Sequence, residues 1–136
     1  MSGSSDLFCQ APPQLGNQFD DDRMLRSLMR RRFGDSLAQV RPRLREMGEL
    51  AGGSLYRQQL EDLRNEPALI GWDAWGNRVD RIELSPLWQR AAVVAAESGL
   101  VATPYEGKWG PLSRTLQFAL VYLFHPSSDV YTCPLA

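Results

Sequence analysis

With 136 residues and a formal net charge of −1, the chain has room for one modest core and exerts no global pull on nucleic acid or an anionic membrane. A hydrophobic content of 43% against 23% charged excludes a disordered chain and fits an ordinary globular domain. The basic residues are nearly all arginine, Lys108 being the one lysine, which suits surface ion pairs but names no partner.

Residues 1–19 read as an irregular lead-in. Their first six lack the basic and apolar regions of a secretory signal, and Pro12, Pro13 and Gly16 break any helix. Leu7, Phe8, Leu15 and Phe19 are apolar anchors within it. Asp20, Asp21 and Asp22 then open a helix, since aspartate caps well and negative charge favours a helix start. Met24, Leu25, Leu28 and Met29 form its apolar stripe, Arg30, Arg31 and Arg32 suit its end, and Gly34 is expected to supply a left-handed cap. Asp35 and Ser36 start the next helix, in which Leu37, Val40, Leu44, Met47, Leu50 and Ala51 recur at three- and four-residue steps. Pro42 falls in its first turns, where a missing N–H is tolerated, and Gly52-Gly53 ends it. A shorter helix over 55–63 stops at Asn65 and Pro67.

The pattern then changes to period two. Leu69, Ile70 and Trp72, then Val79, Ile82 and Leu84, flank a turn at Gly76-Asn77, which predicts a small β-hairpin that leans on the helices. Ser85-Pro86 is a cap followed by proline at the first helical position, opening a helix through Trp88, Ala91, Val94 and Ala95. A loop over 101–108 precedes a helix over 112–124 that is apolar on most sides, which implies burial in something larger. No run is long enough to span a bilayer. Thr132-Cys133-Pro134 repeats the cap-then-proline signal with no helix after it, so a domain over 20–136, truncated at its carboxy-terminal end, is expected. The architecture predicted is mainly α, about five helices with one hairpin, packed as a bundle with one apolar side open.

The run Trp72-Asp73-Ala74-Trp75-Gly76-Asn77-Arg78-Val79-Asp80, followed by Ile82, Pro86 and Trp88, resembles a segment of the AidB-like branch of the acyl-CoA dehydrogenases. Pro12-Pro13-Gln14-Leu15-Gly16-Asn17 with Phe19 resembles the proline-rich lead-in of that branch, and residues 131–136 resemble the Cys-Pro opening of its next core helix. The resemblance covers nearly the whole chain, in order. It implies the helical amino-terminal domain of an FAD-dependent oxidoreductase acting on acyl-CoA thioesters, often a homo-oligomer. A middle β-domain and a carboxy-terminal helical bundle would complete it. In such a protein a carboxylate removes the α-proton while the flavin takes the β-hydride. The flavin motif and the region that supplies the base have no counterpart here, so no catalytic and no cofactor-binding residue is assigned, and this chain alone is expected to be inactive and to hold no FAD. The resemblance places only Cys133, Pro134 and Leu135 beside a site, as part of the acyl-pocket wall. Some AidB-like proteins are associated with DNA protection, through a surface in the carboxy-terminal part.

Other residue groups have plainer readings. Arg23, Arg26, Arg30, Arg31 and Arg32 lack interleaved aromatics for base stacking, so a solvated face balanced by Asp20–Asp22 and Asp35 outweighs nucleic-acid binding. His125, at a helix end, suits the dipole better than it suits catalysis. Glu46, Glu49, Glu61 and Asp62 read as solvent-facing carboxylates, and Trp72, Trp75, Trp88 and Trp109 as anchors holding the hairpin to the helices. Gly107 to Gly110 lacks the phosphate-loop pattern. Cys9 and Cys133 have no CxxC partner and no histidine at ligand spacing, so no metal site is expected. A disulfide between them has no support, and the chain reads as intracellular and reduced, cytoplasmic first, with mitochondrion and peroxisome left open. The competing functional reading is a stand-alone helical interaction module without catalytic activity.

Overall fold

The computed structural model describes residues 13–62 and 66–125. Its helices are α1 (Gln18–Asp21), α2 (Arg23–Phe33), α3 (Leu37–Gly52), α4 (Ser54–Glu61), α5 (Pro86–Glu97), α6 (Thr103–Glu106) and α7 (Ser113–Phe124). Strands β1 (Ala68–Trp72) and β2 (Arg78–Glu83) form an antiparallel hairpin between α4 and α5. The five longer helices and the hairpin are those expected from the sequence. Cys9, Leu63, Asn65 and the segment from Pro126 onward, Cys133 included, lie outside the described residues.

The aspartate run spans the junction of two helices rather than opening one: Asp20 and Asp21 end α1 and only Asp22 opens α2. Asn17 caps α1, its Oδ1 accepting from the N–H of Phe19 and Asp20, and Asp22 caps α2 separately by accepting from Leu25 N–H at 2.8 Å. The lead-in therefore gives way to helix at Gln18, and Phe19 is a core residue at 2% exposure. On α2 the buried positions are Leu25, Met29 and Phe33, each four apart; Met24, expected in the stripe, is 83% exposed. Gly34 does have positive φ (+50°), but its ψ of −126° is not the left-handed helical cap; a 3₁₀ turn over Gly34–Ser36 leads into α3, and the Ser36 side chain makes no cap. Pro42 sits deeper than the first turn, yet both it and Ala38, whose carbonyl loses its helical partner, are exposed, so the loss falls on the solvent side of the helix.

Helix α3 is the hub and touches α1, α2, α4 and α7. Val40, Leu44 and Met47 on one side of it are essentially inaccessible, as are Leu55, Leu116, Leu120 and Phe124 from α4 and α7. Each such side chain contributes about 1.5–3 kcal/mol of burial. The contact between α1 and α3 runs over glycine. A Cβ on Gly48 would lie 2.6 Å from Phe19 N, and one on Gly52 would run into the Gly16 carbonyl oxygen. Gly52-Gly53 ends α3 as expected, with Gly52 its last residue and Gly53 its cap, and Gly52 is also a packing surface.

Polar ties close the other side. The Arg43 guanidinium donates to the Ser98 carbonyl (2.8 Å) and to Thr103 Oγ1 (3.1 Å), and the buried Thr103 hydroxyl donates to the Gly99 carbonyl (2.7 Å). That network orders the segment expected as a loop over 101–108, where α6 forms. Arg90 ties α5 to α4 through Gln58 Oε1 (3.1 Å) and Ser54 Oγ (2.6 Å). Ser85 Oγ accepts from Trp88 N–H as expected, and Asp62 adds a second cap by accepting from Leu87 N–H at 3.3 Å.

The hairpin does not lean on the helices. All of β2 is exposed, and of β1 only Ile70 and Gly71 are half-buried. Trp72 and Trp75, at 63% and 88% exposure, anchor nothing among the described residues. Trp88 and Trp109 do pack at the helices, both half-buried, Trp109 edge-on to Phe33 with ring centroids 6.3 Å apart.

Candidate functional site

Two concave surfaces lie on either side of Tyr122. Helices α2 and α7 run antiparallel, as shown by Asp22 meeting Tyr122 at one end and Phe33 meeting Trp109 at the other. Between them a groove of about 570 Å³ is lined by Met24, Leu25 and Leu28 from α2 and by Phe118, Ala119 and Tyr122 from α7, with Arg31 and Arg32 also on its edge. Met24, Leu28, Phe118 and Tyr122 are all exposed, so the mostly apolar α7 buries one side in the core and leaves the other open. A second groove of about 550 Å³ is lined by Leu15, Asp21, Ala51, Tyr56, Tyr122 and Leu123 among others.

Tyr122 is fixed in place by its hydroxyl, which donates to Asp22 Oδ2 at 2.9 Å. Asp22 thus serves two elements. Its carboxyl is held below the usual range, chiefly by the Leu25 N–H it caps and further by the Tyr122 hydroxyl, the Met24 N–H and the Arg26 charge; its partial burial pulls the other way. The same bond pushes the Tyr122 hydroxyl up. A folded-state carboxyl below its unfolded value contributes stability that is complete above about pH 4 and lost as pH falls through the folded value. Asp22→Ala is therefore expected to cost about 1 kcal/mol at neutral pH. The difference from the parent chain should shrink in acid, as measured by urea unfolding at several pH values. Equal differences at every pH would contradict this role.

The other groups singled out in the sequence do not converge. Arg30, Arg31 and Arg32 project as an exposed face, and Asp20, expected to balance them, instead pairs with Arg45 at 2.8 Å. Glu46 and Glu49 are exposed as expected, Glu49 accepting from Asn17 Nδ2, whereas Asp62 is half-buried as the α5 cap. His125 is exposed at the end of α7. Cys133, Pro134 and Leu135 lie outside the described residues. Among the described residues no group of three or more His, Cys, Asp or Glu could hold a metal, and no helix is long and apolar enough to cross a membrane.

A dinucleotide needs backbone N–H groups converging on its phosphates. At the starts of α1, α2 and α5 some of these donate to Asn17, Asp22, and Ser85 with Asp62, whereas α3, α4 and α7 carry no side-chain cap, and neither groove is lined by a glycine. The groove beside Tyr56 presents the carboxylates of Asp21 and Asp22, the wrong sign for a pyrophosphate.

A helical core with one antiparallel hairpin is the architecture of the helical amino-terminal domain of acyl-CoA dehydrogenases. Within that class the chain belongs to the family of the adaptive response protein AidB N-terminal domain, whose model matches residues 10–136. Over 131 residues it is 30% identical to acyl-CoA dehydrogenase family member 11 of Caenorhabditis elegans, covering 95% of this chain and 21% of that protein. Two solved structures share the fold. The apo form of Bd2924 is 37% identical with a TM-score of 0.82, covering 95% of this chain and 26% of that one. Caenorhabditis elegans ACDH-11 in complex with C11-CoA is 29% identical, also with a TM-score of 0.82, covering 99% and 23%. The chain thus spans about a fifth of the length of the curated relative it matches.

Proposed function

We propose that the chain is the amino-terminal helical part of an FAD-dependent, AidB-like acyl-CoA dehydrogenase acting on CH–CH groups of acyl thioesters. A lead-in precedes a helical domain that begins at Gln18 rather than at residue 20. A middle β-domain and a carboxy-terminal helical bundle complete the polypeptide, which assembles as a homo-oligomer inside the cell. This segment alone neither holds FAD nor catalyses. Its role is to shape and support a site whose flavin and base belong to the rest of the protein, with Cys133, Pro134 and Leu135 on the acyl-pocket wall. Bound flavin supplies the hydride acceptor.

The observation that carries this reading is similarity along 95% of the chain to a protein of which the chain covers only 21%, an acyl-CoA dehydrogenase family member. The solved relative that holds C11-CoA supports the substrate class. The open groove between α2 and α7 supports the need for a cover, since an exposed apolar face of this kind marks an interaction surface.

Visible spectroscopy of the full-length protein and of this chain tests the proposal. The full-length protein is expected to carry a flavin band that bleaches on anaerobic addition of an acyl-CoA, and this chain to carry none. A colourless full-length protein, or a flavin band copurifying with this chain, would overturn it.

A further inference from the structure

We draw no further inference here: the strongest candidate, the apolar groove between α2 and α7 with Arg31 and Arg32 on its edge, carries nothing beyond the need for a cover already stated, because nothing among the described residues shows what covers it.

Discussion

Replacing Phe124 with alanine is expected to destabilise the chain by about 3–5 kcal/mol. Phe124 is fully inaccessible at the end of α7, where it joins the cluster formed with α3 and α4. Truncation loses its transfer energy and leaves a cavity that the surrounding helices cannot fully close. Phe118, six residues earlier on the same helix, is 67% exposed. Its replacement by serine should change stability by less than about 0.5 kcal/mol in this chain. Urea denaturation of both variants is the check. If Phe118→Ser cost as much as Phe124→Ala, the outer side of α7 would not be open.

The second large effect is expected at the glycine seam. Gly48→Ala and Gly52→Ala each gain up to about 1 kcal/mol of helix propensity, yet both should destabilise. The new methyl at Gly48 would press on the Phe19 main-chain nitrogen and the Asn17 side chain, and that at Gly52 on the Gly16 carbonyl, so α1 must lift from α3. Overpacking of this kind costs about 1–3 kcal/mol, and backbone rather than a flexible side-chain end stands in the way. The double variant should also expose Phe19, whose burial depends on that contact. Thermal melts of the two single variants and the double variant measure this; a rise in melting temperature at Gly52→Ala would show that the seam is looser than its geometry.

These sites show how far the sequence could be read. Helical periodicity located α2, α3, α5 and α7 because each buries a stripe at three- and four-residue steps, while α4, which buries Leu55 alone, was marked by the breakers on either side of it; Ser85-Pro86 marked the start of α5 correctly because capping is local chemistry. What failed was tertiary. Gly52 is legible as the end of α3, which does stop there, but only the path of residues 16–19 over α3 reveals that it is also a contact surface. Met24 fits a helical stripe as well as Leu25 does, and which one faces the core is set by the placement of α3 and α7. Trp72 and Trp75 were read as anchors since large aromatics are usually buried, yet their hairpin projects from the helices. The turn at Gly76-Asn77 was legible, whereas the part of Asp73, whose Oδ1 accepts from the N–H of Trp75 (2.9 Å) and Asn77 (2.8 Å), was not. The role of Asp22 was half legible, as a cap, while its bond to Tyr122, a hundred residues away in sequence, was not. The expectation that Cys133, Pro134 and Leu135 wall an acyl pocket rests on family resemblance alone, since no local pattern around Cys133 carries chemistry.

The central claim is that this domain works as one part of a larger flavoprotein, and the mass of the native protein in its source cells tests it most directly. An antibody raised against an exposed part of this segment, such as the hairpin tip around Trp75, would detect it on a denaturing gel. The account predicts a species several times heavier than 15.3 kDa, in keeping with the fifth of its relative that the chain covers. A single species at 15.3 kDa would contradict it and leave a helical interaction module acting alone.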